Sequence, residues 1–236
     1  MTNIEYLKKY YKGNINEAIK RLNNGEPVQY IVGNVSFYGY ELNVDKRVLI
    51  PRRETEELVE EVIKRSKTFN NPIICDIGTG SGAIAISLSK ELNINVLASD
   101  ISLDALDVAK DNIKNNNANV TLFNGDMLKP FIDNNIKVDI IVSNPPYIRY
   151  DEEIDDIVKN NEPSIALYAN IYGLEYYESI IKDSKYILND KFLIAFEIGY
   201  MQANDIIDIV NKYLPHAKYE VRKDLSDKNR MLFVYN

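Results

Sequence analysis

From residue 72 onward, short apolar runs alternate with stretches in which apolar positions recur every third or fourth residue. The runs at 73–77, 96–99, 120–123, 138–143 and 192–198 predict strands, and the helical periods at 83–92, 103–113, 174–188 and about 203–213 predict helices. Strands that alternate with helices form a parallel sheet covered on both faces. The last two strands, 218–221 and 231–235, are separated only by a polar turn. No crossover helix fits there, so these two must pair antiparallel.

The first quarter of the chain reads differently. Thr2-x-x-Glu5 has the form of a capping box, with Ile4, Leu7 and Tyr11 following at helical spacing. Asn14 can cap a second helix whose stripe is Ile15, Ala18, Ile19 and Leu22, with Glu17 in its first turn and Gly25 at its end. Residues 28–50 are β-branched and aromatic, broken at Gly33, Gly39 and Asp45, which predicts a hairpin linker. A helix over 54–67 then buries Leu58, Val59, Val62 and Ile63. The expected organisation is a short helical segment (1–24), a β-hairpin linker (25–50) and one α/β domain (51–236).

Composition narrows the class. With 236 residues, 45% of them hydrophobic, the chain can bury one large core, which excludes disorder and collagen-like repeats. No apolar stretch approaches the ~18 residues of a membrane span, and the polar start lacks the apolar region of a signal peptide. A cytoplasmic protein is expected, without a membrane partner. One cysteine, Cys75, cannot form an internal disulfide, and one histidine, His216, leaves too few soft ligands for zinc, so no metal is expected. The net charge is −7, but residues 1–24 hold five basic and two acidic side chains, which leaves −10 on the rest. An acidic body matches phosphate backbones poorly, so no nucleic-acid partner is expected.

The candidate chemistry lies at two strand ends. Strand 73–75 runs into Asp76, and Gly78-Thr79-Gly80-Ser81-Gly82 follows directly before a helix, where an α/β sheet binds its ligand. The loop also satisfies a dinucleotide fingerprint, Gly78-x-Gly80-x-x-Ala83. Asp76 discriminates: a carboxylate there would repel a pyrophosphate and attract the ammonium or sulfonium of S-adenosylmethionine. Asp100, at the end of the next strand, is placed to accept hydrogen bonds from ribose hydroxyls. The plainer readings are a tight turn for the glycines and a helix cap for Asp100.

Asn144-Pro145-Pro146-Tyr147 ends the strand at 138–143. Such a four-residue string arises by chance in about one chain in a thousand. The motif suits a planar NH2 whose lone pair is delocalised, a poor nucleophile that must be oriented to react. The Asn144 side-chain oxygen and the Pro145 carbonyl can each accept one N–H, the prolines fix the backbone, and Tyr147 can cover the flat group. Asn-Pro-Pro is otherwise an ordinary turn signal. Two acceptors remain open, a ring amino group of adenine or cytosine and the carboxamide of glutamine or asparagine. Asp151, Glu152, Glu153, Asp155 and Asp156 follow closely and favour the carboxamide, although a solvated helix face would look the same.

With these residues assembled, the chain resembles the bacterial HemK/PrmC family of protein glutamine N5-methyltransferases, which modify the Gly-Gly-Gln loop of peptide chain release factors. The match runs from about Gly25 to the C-terminus. It includes Gly25-Glu26-Pro27-Val28-Gln29-Tyr30-Ile31, Phe37 with Gly39, Leu49-Ile50-Pro51-Arg52 before Glu54-Thr55-Glu56, the two motifs above, Glu162-Pro163 with Ala166-Leu167, and Asp224-Leu225 ahead of Arg230. The resemblance implies a Rossmann-like methyltransferase fold, a seven-stranded sheet with its last strand antiparallel. It implies S-adenosylmethionine as donor, with S-adenosylhomocysteine as product, held by Asp76, Gly78, Thr79, Gly80, Ser81, Gly82, Asp100, Asp126, Met127 and Asn144. It implies a release factor as partner, a monomeric enzyme, Asn144, Pro145 and Tyr147 at the chemistry, and Pro146 and Phe37 beside them at the substrate. A glutamine methyltransferase for a ribosomal protein would share nearly all of these motifs.

Three departures from the family pattern stand out. Arg53 replaces a usual proline, and Met127 stands where an aromatic often covers the adenine, a place an apolar methionine can also fill. The family usually has a five-helix N-terminal domain, whereas only about 24 residues precede the linker, a departure that bears on docking and not on chemistry; the two short basic helices read equally as a reduced recognition element or as padding of the core.

Overall fold

The computed structural model describes residues 2–170 and 172–236; Met1, the first residue of the expected N-terminal segment, and Ile171 lie outside them. Thr2 and Glu5 form the anticipated capping box at the start of α1 (Asn3–Tyr10). The Asn14 side chain accepts from the Asn16 and Glu17 amides at the start of α2 (Ile15–Asn23). The segment 28–32, read as part of a hairpin, is instead a short helix, α3 (Val28–Val32), which Gly33 stops in a left-handed conformation at φ 86°. Val28 and Ile31 pack with Leu7 and Ala18 into a small cluster of their own.

The hairpin itself is β1 (Asn34–Phe37) and β2 (Tyr40–Asn43). Its two-residue turn, Tyr38-Gly39, has positive φ at both positions, the twist that matches antiparallel strands. The Tyr38 amide donates to Glu56 Oε1 at 2.6 Å, tying the turn to α4 (Arg53–Ser66). Arg53 is the first residue of α4 and is exposed. Proline is favoured at that position because its missing N–H is not needed there and its fixed φ suits a helix start; neither property is required, so arginine replaces it at little cost.

The main sheet holds β3 (Ile74–Ile77), β4 (Val96–Asp100), β5 (Val120–Asn124), β6 (Val138–Ser143), β7 (Leu188–Glu197), β8 (Lys218–Lys223) and β9 (Asn229–Tyr235). Their spatial order is β5-β4-β3-β6-β7-β9-β8. Strands β3 to β7 are parallel, and β9 runs antiparallel to both neighbours. A single reversed strand, the last, is what the resemblance implied.

Alternation along each strand divides the core in two. Ile74, Ile140, Val142, Leu193, Ala195 and Phe233 face α4 and α5 (Ala83–Leu92). Cys75, Ile141, Ile194, Phe196 and Val234 face the other layer, α7 (Lys129–Asp133), α10 (Glu175–Ser184) and α11 (Ala203–Tyr213). The helix α6 (Leu103–Asn115) flanks β4, β5 and the hairpin. Two short helices, α8 (Asp156–Asn161) and α9 (Ser164–Leu167), lie between β6 and α10. The chain order turns outward in opposite directions from β3, so the carboxyl ends of β3, β4 and β6 converge on one crevice.

Candidate active site

The loop after β3 is held from behind. The Gly78 and Thr79 amides donate to the Ser99 carbonyl at 2.9 and 3.0 Å, and the Gly80 amide donates to Asp100 Oδ2 at 2.8 Å. Gly78 and Gly80 have φ of +72° and +54°, and a Cβ on either would project into open space. Both line a cavity of about 270 Å³, so their missing side chains are what leave it open.

Three motif residues are structural neighbours of that cavity, not part of its wall. Thr79 Oγ1 donates to Asp76 Oδ2 at 2.6 Å. The buried Ser81 offers its carbonyl to Asn112 at 2.9 Å. At Gly82 a Cβ would come within 3.2 Å of Ile86 Cδ1, so this glycine lets α5 begin close to its surroundings. Asp76 itself is fully buried beneath the loop. Its Oδ2 also accepts from the Ala85 amide at 3.2 Å, while Oδ1 has no partner. Burial pushes its carboxyl up to about 7.

Around the cavity stand Asp100, Ile101 and Ala105 on one side, Asp126, Met127 and Tyr176 on another, and Asn144 with Pro146 on a third. Asp100 Oδ1 accepts from the Ser102 amide at 2.9 Å, yet the cap of α6 is the Ser102 hydroxyl, so helix capping does not account for Asp100. Burial raises its carboxyl above the usual range. Met127 is held at φ 42°, its carbonyl accepting from Ser99 Oγ. Ile101, Ala105 and Met127 give this concave space apolar walls, as sites for small ligands commonly have.

A second chamber of about 90 Å³ adjoins the first and shares Leu49, Asn144, Pro146 and Ala166 with it. Pro145, Tyr147, Arg52 and Glu197 also line it, together with the apolar Ile148, Val158 and Leu167. Asn144 Nδ2 donates to Thr55 Oγ1 at 3.2 Å, and Thr55 Oγ1 donates to Glu197 Oε2 at 2.6 Å. Among the described residues no donor reaches Asn144 Oδ1 or the Pro145 carbonyl. The Tyr147 hydroxyl makes a long contact of 3.5 Å with Glu197 Oε1, and burial holds the phenol well above its ordinary range. Burial likewise pushes Glu197 up to about 7, against the pull of the Thr55 hydrogen bond.

Phe37, expected at the substrate, is placed elsewhere: it is 1% exposed, packs with Leu42, Leu58 and Val59, and lines neither chamber. It sits on the inward face of the hairpin, where alternation puts large apolar residues. The sequence assigns no chemical part to Thr55, Glu197 or the Arg52–Glu162 pair, although Arg52, Thr55 and Glu162 are among the residues that carry the resemblance, and all three features bear on the second chamber. For Glu197 the available signal is a lone acidic residue inside the apolar run 192–198, near a strand's carboxyl end. Of the acidic run, Asp155 caps α8 by accepting from the Ile157 amide at 2.8 Å, and Asp151 pairs with Arg149 at 3.2 Å. All five carboxylates are on exposed residues.

A seven-stranded parallel sheet with its last strand reversed, opening a glycine-lined crevice at the carboxyl ends of its central strands, defines a methyltransferase of the Rossmann-like class. Residues 54–161 match the family model "Methyltransferase small domain". A release factor glutamine methyltransferase of Bacillus anthracis is 40% identical over 224 residues, covering 92% of this chain and 79% of that protein. One from Streptococcus pneumoniae is 44% identical over 93% of this chain and 78% of its own length. The crystal structure of a release factor-specific protein-(glutamine-N5) methyltransferase from Alicyclobacillus acidocaldarius superposes with a TM-score of 0.51 at 26% identity, covering 79% of this chain and 94% of that one. The chain belongs to the release factor glutamine methyltransferase family.

Proposed function

We propose that the protein transfers a methyl group from S-adenosylmethionine to the side-chain amide nitrogen of a glutamine in a peptide chain release factor, within its Gly-Gly-Gln loop. The observation that carries this reading is the pair of unengaged oxygens, Asn144 Oδ1 and the Pro145 carbonyl, beside the wall that the two chambers share.

The larger chamber fits the donor. Gly78 and Gly80 leave room for it, Asp100 keeps acceptor lone pairs for ribose hydroxyls, and Ile101, Ala105 and Met127 offer apolar surface to a purine. Asp76 lies under the loop with one carboxyl oxygen unpartnered and favours a cationic ligand above it. S-adenosylmethionine, when bound, supplies a methyl carbon on a positively charged sulfur; the N–C bond forms as the S–C bond breaks, and one amide proton is released. The smaller chamber takes the carboxamide. Asn144 Oδ1 and the Pro145 carbonyl each accept one of its N–H groups, which fixes the nitrogen and turns its electron density toward the donor. Pro146 holds the turn, and Tyr147 closes the pocket against water. No base is required before transfer, because the nitrogen sheds its proton once it is methylated. Residues 51–236 are the catalytic domain in this reading, and 1–24 with the linker 25–50 are available to the protein partner.

Asn144→Ala is expected to lower methyl transfer about a hundredfold while donor affinity, followed by calorimetry, stays within about twofold. Asp100→Ala is expected to weaken the donor about tenfold. An Asn144→Ala protein that transfers methyl at the native rate would contradict the assignment.

A further inference from the structure

We propose that Thr55 and Glu197 are positioning residues of the glutamine site, which fix the Asn144 carboxamide with its oxygen, and not its NH2, toward the acceptor. The inference rests on the function proposed above and deepens it by naming what makes Asn144 an acceptor. An asparagine side chain has nearly the same shape either way round, and only its neighbours decide which end faces out.

With Glu197 ionised, the neighbours leave one solution. Thr55 lies buried in the first turn of α4 and Glu197 at the carboxyl end of β7, 2% exposed, and no cation lies within ion-pair distance of Glu197 among the described residues. Thr55 has a single hydroxyl proton, and an ionised Glu197, whose Oε2 lies 2.6 Å away, can only accept it. Toward Asn144 the hydroxyl can therefore only accept, so the group facing it at 3.2 Å must be the NH2. Oδ1 is left at the opposite end. Turned round, the amide would set its oxygen against the lone pairs of Thr55 and its NH2 against the NH2 of the substrate, two unfavourable contacts in place of two hydrogen bonds.

The polarity of this relay depends on the charge of Glu197. When Glu197 carries a proton, its hydroxyl can donate to Thr55, the Thr55 proton turns to Asn144, and the relay then stabilises the reversed amide. The groups that face Glu197 are Glu54 and Thr55 from α4, Tyr147 after β6, Arg230 from β9, and Tyr177 from α10, whose hydroxyl donates to the Glu197 carbonyl at 2.8 Å. Arg230 is engaged by Asp224 at 3.1 Å and by the Ile198 carbonyl at 3.3 Å, so it acts on Glu197 only through space. Burial places the ionisation of Glu197 near neutrality, so transfer rises with pH through that range.

The test is kcat and KM for a purified release factor across pH in the native protein, Thr55→Val, Thr55→Ser and Glu197→Gln, with donor affinity and Tm measured on each. Thr55→Val, which keeps the shape but loses the hydroxyl, is expected to lower kcat about ten- to a hundredfold with donor affinity unchanged. Thr55→Ser is expected to recover most of that loss. The native enzyme should show an ascending limb near neutral pH that Glu197→Gln lacks. A Thr55→Val enzyme within about twofold of native kcat, a Thr55→Ser enzyme no better than Thr55→Val, or coincident pH profiles for native and Glu197→Gln would each overturn the positioning role. Native protein that methylates no release factor glutamine at all would overturn the underlying function as well, which separates the two failures.

Discussion

A carboxyl group buried away from water and cations resists ionisation, and Asp76 is in that position. Its ordinary value is 3.8 and burial lifts it to about 7. Between those values the folded chain holds a proton that the unfolded chain has released, so stability falls as pH rises from about 4 to about 7 and stays reduced above that. Asp76→Asn removes the ionisation and keeps an oxygen for Thr79 and Ala85. Its Tm relative to the native protein is therefore expected to improve between about pH 5 and about pH 8, and an unchanged difference would show that Asp76 does not titrate there. Asp76 and the glycines could be picked out in the sequence because a fixed spacing at a strand end is a local signal. The Thr55–Glu197 relay could not, because its partners are 142 positions apart and only the packing of α4 on β7 brings them together. Phe37 marks the opposite limit, since an aromatic beside a glycine reads alike whether it faces a ligand or the core.

Between elements, the second chamber depends on one ion pair. Arg52, just before α4, donates to Glu162 Oε1 at 2.5 Å, and the Ile50 amide donates to Oε2 at 3.0 Å. This joins 49–52 to 162–167, and both segments line the chamber. The Ile148 amide adds a bond to the Leu167 carbonyl at 3.1 Å, so the strip after Tyr147 is fastened to the same wall. Glu162→Ala leaves an arginine and a backbone amide without their acceptor. It is expected to cost about 2 kcal/mol in urea unfolding, less than a fully buried pair because Arg52 is partly exposed. A loss below about 0.5 kcal/mol would assign the pair no part in holding the wall. The long elements were legible because several turns of helix or a full apolar run establish a period. The short helices α3, α7, α8 and α9 span four to six residues, too few to show one, and tertiary contacts decide them. The same limit explains why β7 begins at Leu188: its polar stretch 189–191 hides the extension, which pairing of Leu188 with Val138 reveals.

Across the molecule, chain order rather than local sequence brings the two motifs together. Adjacent placement of β3 and β6 sets the glycine loop and Asn144 on the wall of one crevice, although 61 positions separate Gly82 from Ser143 along the chain. The alternation of strands and helices was enough to predict the layered sheet, and the short final turn to predict the reversed strand. Which residues face each other across the crevice needed the three-dimensional arrangement. The chemistry assigned to the crevice is delivery of methyl to a glutamine side-chain nitrogen. Incubation of the native protein with a release factor and deuterated S-adenosylmethionine, followed by fragmentation mass spectrometry, tests it most directly. One deuterated methyl group is expected, on the side-chain amide of the Gly-Gly-Gln glutamine. Label on any other residue, or on nucleic acid supplied alongside and not on the protein, would contradict it.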